Sequence, residues 1–128
     1  MNKNNKKSLL FDNPINLLRV EGICLFFISL FVYYILNGNW IILLIIVIAT
    51  DFSALGYLIN SKAGAIFYNA FHSYPIPSII MIFGFIFHNY VFVFIGLGIF
   101  AHIGLDRFFG FGLKYPSGFK DTNLGKIK

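Results

Sequence analysis

Asp51, His72, His102 and Asp106 interrupt stretches that are otherwise rich in Ile, Leu, Val and Phe. An ionisable side chain in hydrocarbon costs about 2.5–3.5 kcal/mol on insertion scales, so each one calls for a reason. Imidazole and carboxylate together have two chemical uses, ligating a divalent ion and passing protons. His102 and Asp106 are spaced H-x-x-x-D, which on a helix sets both on one face. There they can share a metal ion, or the carboxylate can orient the imidazole, or the pair can be an ordinary structural hydrogen bond. Asp51 and His72 bring the set to two imidazoles and two carboxylates, a donor set suited to zinc, manganese or iron. Helical bundles build such centres from facing helices. Glu21 is the candidate general base. Arg19 and Arg107 suit lipid phosphates, and Arg107 also suits a substrate phosphate.

These residues need elements to hold them, and composition says what kind. The chain has 128 residues, of which 58% are hydrophobic, 20% aromatic and only 12% charged. A soluble domain carries about 25% charged residues. A water-soluble fold this small has too much surface to hide so much Phe, Ile and Leu. Lipid as solvent removes the conflict. The net charge of +5 gathers at the ends, at Lys3, Lys6 and Lys7 and at Lys114, Lys120, Lys126 and Lys128. Between Arg19 and Arg107 the one Lys or Arg is Lys62, so the pattern is topological and not that of a nucleic-acid surface. The single cysteine, Cys24, excludes an intrachain disulfide and reads as an apolar filler. The N-terminus has no small-residue cleavage site of a signal peptide.

Crossing hydrocarbon takes about 20 apolar residues in a helix. Four stretches meet that, giving an all-α, up-down four-helix membrane bundle as a single domain. The first span covers about 15–36, with Asp12 or Asn13 as its cap and Pro14 in the first turn. The second covers about 40–59, beginning at the interfacial Trp40. The third covers about 63–87 and is kinked where Pro75 and Pro77 each remove a helical hydrogen bond. The fourth covers about 90–109. The tail 110–128, with Pro116 and Gly118, reads as irregular. Gly96, Gly98 and Gly104 suit close helix approach. The positive-inside rule puts both termini and Lys62 in the cytoplasm, because the turns at 37–39 and 88–89 carry no Lys or Arg. The location implied is a cell membrane, multi-pass, with the bilayer as the first partner and an oligomer or membrane partner left open.

Depth tests whether the ionisable groups can meet. At 1.5 Å per residue from the cytoplasmic ends, Glu21 lies about 9 Å in, Asp51 about 12 Å, His72 about 14 Å and His102 about 11 Å. Every helix therefore points an ionisable group into the same half of the bundle. The third helix adds a polar stripe of Tyr68, Asn69, His72 and Ser73, from which Asn69 or Ser73 is placed to bond the second nitrogen of His72. Such a stripe also serves simply to hold helices together.

The segments Y-N-A-F-H-S-Y (68–74) and A-H-I-G-L-D-R-F-F-G-F-G-L-K-Y-P-S-G-F-K-D-T-N-L-G (101–125) resemble the hallmarks of domain-of-unknown-function family 4260. The resemblance implies a small bacterial multi-span membrane protein and supplies no reaction. It also implies a histidine where this chain has Asn123, so no site is built on the tail. Two functions fit the residues. One is a metal-assisted hydrolase of a lipid-like or phosphorylated substrate, with the ion held by Asp51, His72, His102 and Asp106. The other is a proton-coupled transporter or relay using the same groups. A non-catalytic membrane partner is the plainest option.

Overall fold

The computed structural model describes residues 10–127. Lys3, Lys6, Lys7 and Lys128, whose charges entered the expected topology, lie outside the described residues. The chain is mostly helical: α1 (Pro14–Ile35), α2 (Trp40–Thr50), α3 (Ser61–Phe71), α4 (Pro75–Ile86) and α5 (Tyr90–Phe109). Three stretches are long and apolar enough to cross a membrane, Pro14–Ile35, Trp40–Leu58 and Tyr90–Phe109. The surface supports the same solvent, since Phe27, Phe31, Ile41, Phe52 and Ile82 are exposed while Ser29, Thr50, His72, His102 and Arg107 are buried. Water would select the opposite arrangement.

Local chemistry explains the boundaries. The Asn13 side chain accepts from the Ile15 and Asn16 amides, with Pro14 in the first turn where its missing N–H costs nothing. Asn39, Asn60 and Asn89 cap α2, α3 and α5 in the same way. The α1–α2 and α4–α5 hairpins both turn through a left-handed residue, Asn37 (φ 57°) and His88 (φ 52°).

α5 is the axis of the bundle. α1 crosses it at Gly22 and Gly104, where a Cβ on Gly22 would stand 2.7 Å from the Gly104 carbonyl and one on Gly104 would stand 2.5 Å from the Gly22 carbonyl. Only two glycines allow that approach. α2 meets α5 through Ile46 at Gly98, and α4 meets it through Pro77 and Met81 at Gly96 and through Val93 at Gly84. α1 and α4 therefore both run antiparallel to α5. At the hairpin end, Tyr33, Leu43, Val93 and Leu97 form the core. The Tyr33 hydroxyl donates to the Asn39 carbonyl at 2.6 Å, tying that end shut.

Three expectations need correction. The second helix does not run evenly to residue 59: it tightens at Asp51 into a 3₁₀ segment, Asp51–Leu58. Thr50 bonds back to the Ile46 carbonyl and Ser53 to the Thr50 carbonyl, side-chain competition that disturbs regular α geometry. The third stretch is two helices with a break at 72–74, since Pro75 and Pro77 lack the N–H groups that would continue α3. Still, the two follow α5 downward as one broken rod, with Tyr74 stacked on Phe100 at 5.8 Å and Tyr68 beside Asp106. Finally, the tail is not irregular and the fold is not purely α. Residues 114–115, 118–122 and 125–126 form a three-stranded antiparallel sheet, β1 to β3 in chain order. Pro116 and Gly118, the residues that argued against structure, make its first turn, where Ser117 donates to Asp121 at 2.7 Å.

Candidate metal centre

The four donor residues come from three elements. Asp51 stands where α2 becomes 3₁₀, and the change from 3.6 to 3.0 residues per turn re-aims its side chain relative to a continued α-helix. His72 is the C-cap of α3, just before the Pro75 break. His102 and Asp106 lie one turn apart on α5, whose glycines let the neighbouring helices close in. One carboxylate oxygen or ring nitrogen from each of the four lies within 4.8 Å of all the others.

His72 Nε2 and His102 Nε2 are 3.1 Å apart. Asp51 Oδ1 is 3.2 Å from His102 Nε2 and 3.6 Å from His72 Nε2. Asp106 Oδ2 is 3.3 Å and 3.6 Å from the same two atoms. Ligands at about 2.0–2.1 Å around a tetrahedral ion stand roughly 3.3–3.4 Å apart. The five measured edges bracket that value.

The hydrogen bonds fix what the nitrogens offer. His72 Nδ1 lies 2.9 Å from the Tyr68 carbonyl, which only accepts, so Nδ1 carries the proton. Ser53 Oγ, whose own hydrogen goes to the Thr50 carbonyl, lies 3.3 Å from the same nitrogen and accepts too. In a neutral ring Nε2 is then a bare lone pair aimed into the cluster. With His72 in that tautomer, its Nε2 lone pair faces two carboxylate oxygens and His102 Nε2, an acceptor-rich cluster. A bound cation, or a proton on His102 Nε2, satisfies that arrangement.

The surroundings hold the imidazoles in place. The Tyr68 ring stacks on His72 at 3.7 Å and 8°, and its hydroxyl makes a long 3.5 Å contact to Asp106 Oδ2. Arg107 Nη2 donates to the His72 carbonyl at 3.3 Å, capping the open end of α3, and its guanidinium stands over Tyr74. Arg19 does the same for α5, donating to the Phe108 carbonyl at 2.8 Å. Both arginines thus serve backbone carbonyls. Asn69 does not touch His72: it exchanges two hydrogen bonds with the Lys114 backbone, at 2.8 and 2.7 Å, and so docks the tail sheet on α3. Ser73 makes no hydrogen bond to His72 either; Tyr68 and Ser53 fill that role. Glu21 is exposed on α1 and stands outside the cluster.

Lys114 went unsingled in the sequence because it looked like one more tail cation. It is buried, with no hydrogen-bond partner for its ammonium, which stands 4.8 Å from the Tyr68 ring centre and 3.9 Å from that of Phe119. Burial holds its proton affinity below that of an ordinary lysine, and Asp106 partly offsets this. Asn123 has a structural use, accepting from the Leu113 amide at 2.7 Å and donating to the Leu113 carbonyl at 3.1 Å.

The chain matches the family model described as "Domain of unknown function (DUF4260)" over residues 15–127. It belongs to the DUF4260 family. The match spans every element from α1 to β3, so the bundle and the docked tail sheet together make the DUF4260 unit. No curated protein and no solved structure matches the chain.

Proposed function

We propose that this protein crosses the membrane four times, with both termini cytoplasmic, and holds one divalent ion among Asp51, His72, His102 and Asp106. We read the centre as that of a hydrolase for a lipid-like or phosphorylated substrate. The observation that carries the metal is the convergence of two imidazole Nε2 atoms, that of His72 a bare lone pair, and two carboxylate oxygens on one point. Zinc, manganese and iron all suit this donor set. A bound divalent ion supplies Lewis acidity toward an ester or phosphate oxygen and activates water.

The chain's own groups would set the rest. The Asp51 side chain is 66% exposed whereas His72 and His102 are buried, so the accessible edge of the centre is at Asp51. Tyr68 and Ser53 hold the His72 ring, and Arg107 holds its backbone. The four-span reading is supported by the broken α3–α4 rod following α5. It is supported too by Arg19, Lys62 and Arg107 falling toward the end opposite the two uncharged hairpin turns.

The test is metal content of protein purified in mild detergent. About one ion per chain is expected, retained through dialysis and lost in His102→Ala. Protein that stays metal-free after incubation with zinc, manganese and iron overturns the reading. The 3.1 Å contact between the imidazoles also suits proton exchange, which favours a relay as the second reading. The packed apolar core of Tyr33, Leu43, Val93 and Leu97 weighs against a path onward to the outer face. Proteoliposomes in which Asp51→Asn abolishes a pH-driven flux would favour the relay over the hydrolase.

A further inference from the structure

Beside the metal centre a cavity of about 460 Å³ opens between the α2–3₁₀ stretch and α3, lined chiefly by Ala49, Phe52, Leu55, Ile59, Phe67 and Phe71. A second, of about 200 Å³, continues it between Ile46, Ile95 and Ile99, and the two share Ala49, Thr50 and Phe71. Together they form one apolar groove. Its lips are open, since Phe52 is 63% exposed, Leu55 57% and Ile59 70%. Most of its length belongs to Trp40–Leu58, a stretch apolar enough to lie in the bilayer. There the groove faces acyl chains and not water.

Its polar positions sit at one place. Thr50 and Ser53 line the first cavity and flank Asp51, the exposed member of the centre, and Ser53 Oγ reaches His72 Nδ1 at 3.3 Å. The groove and the accessible edge of the centre are thus built by the same turn of chain. A soluble phosphate ester has no use for the apolar arm. A molecule with a long apolar chain and a hydrolysable polar linkage uses both parts.

We propose that the groove seats one acyl chain of a membrane lipid and presents the lipid's ester or phosphoester linkage to the Asp51 edge. The chain end lies between Ile46, Ile95 and Ile99, the linkage lies at Thr50 and Ser53, and the headgroup side runs toward Leu55 and Ile59. This rests on the hydrolase reading of the centre, and names its substrate class as an acyl lipid. The pocket then follows the common plan of apolar walls with a few convergent polar groups.

Photo-crosslinking of the full chain in phosphatidylglycerol nanodiscs tests it, using two phosphatidylglycerol probes with a diazirine at the chain end or beside the headgroup. The chain-end probe is expected to label Ile46, Phe71, Ile95 or Ile99, and the headgroup-side probe Phe52, Leu55 or Ile59. Ala49→Phe fills the shared segment and is expected to reduce chain-end labelling at least fivefold at unchanged metal content. Ala49→Val, a gentler filling, is expected to give a partial reduction. Labelling spread evenly over Phe27, Phe31 and Ile41, or unchanged in both variants, overturns the proposal. Localised labelling on a chain that binds no metal leaves the groove standing and removes the centre, so the two failures are told apart.

Discussion

The two ends of the bundle are built by different physics. At the hairpin end, Tyr33, Leu43, Val93 and Leu97 interlock, and the one buried hydroxyl among them is satisfied by Asn39. At the other end, two imidazoles, an arginine and a lysine are buried beside the carboxylates of Asp51 and Asp106. In the bilayer setting we propose, lipid tails are as apolar as Leu, so the hairpin end is held by close packing and not by escape from water. The other end is held by backbone carbonyls that find cationic partners around the His/Asp cluster. One end is closed by apolar packing. On our proposal the other is completed by a bound ion.

The largest effect should come from the place where both ends depend on one crossing. Gly104→Leu drives a side chain into the Gly22 carbonyl and the Phe26 backbone, parting α1 from α5. We expect a loss of about 3 kcal/mol or more, read by denaturant titration in mixed micelles, with metal binding lost as well. Retention of metal binding by this variant would show that the centre does not depend on the crossing.

The next two variants separate the ends. Leu43→Ala leaves a hole in the hairpin core and should cost about 2 kcal/mol of stability, at the low end for buried leucine because no transfer from water is involved. Its metal affinity should match the parent's. His102→Ala should do the reverse, losing at least about a hundredfold in metal affinity with little change in metal-free stability. In the parent, metal at a hundred times its dissociation constant should add about 2.7 kcal/mol of stability, which the His102 variant does not gain. Equal responses of the two variants to metal, measured by thermal unfolding, would erase the distinction between the ends.

A smaller effect is expected from Tyr68→Phe, which keeps the ring stacked on His72 and removes only the 3.5 Å contact to Asp106. Metal affinity should fall by less than about tenfold, whereas Tyr68→Ala, which also removes the stack, should approach a hundredfold. Titration of apo protein with zinc reads both.

The same division explains what the sequence made legible. Helix placement followed from apolar length and from Asn and Pro at the boundaries, signals that lipid amplifies because every backbone group must be satisfied internally. Asp51, His72, His102 and Asp106 were visible because ionisable groups are costly in that setting, and their depths could be compared along known helix rises. The hydrogen-bond partners of His72 were not visible. Asn69 and Ser73 were nearer in sequence, but Asn69 is taken up by the Lys114 backbone and Ser73 falls in the break after α3, while Ser53 arrives from a different helix through a 3₁₀ tightening that no periodicity announces. The tail sheet escaped notice because strands of two to five residues carry no alternation to read. Lys114 escaped for the same reason, since its burial depends on β1 docking on Asn69.

That lysine gives the smallest prediction and probes how the tail sheet closes the polar end. In the folded chain burial between Tyr68 and Phe119 lowers its proton affinity, while in the unfolded chain it titrates as an ordinary lysine. In the window between the lowered folded value and the ordinary value of 10.5, the unfolded state therefore binds more protons. Stability must then rise with pH across that window, and the penalty for burying the charge is present in full below it. Lys114→Met keeps an apolar side chain between the two rings and has no proton to lose, so its stability relative to the parent should fall as pH is raised toward 10. Parallel stability curves for the two proteins between pH 7 and 10 would mean that the ammonium is already solvated. The tail sheet would then be a loosely held flap and not a fitted wall of the metal-binding end.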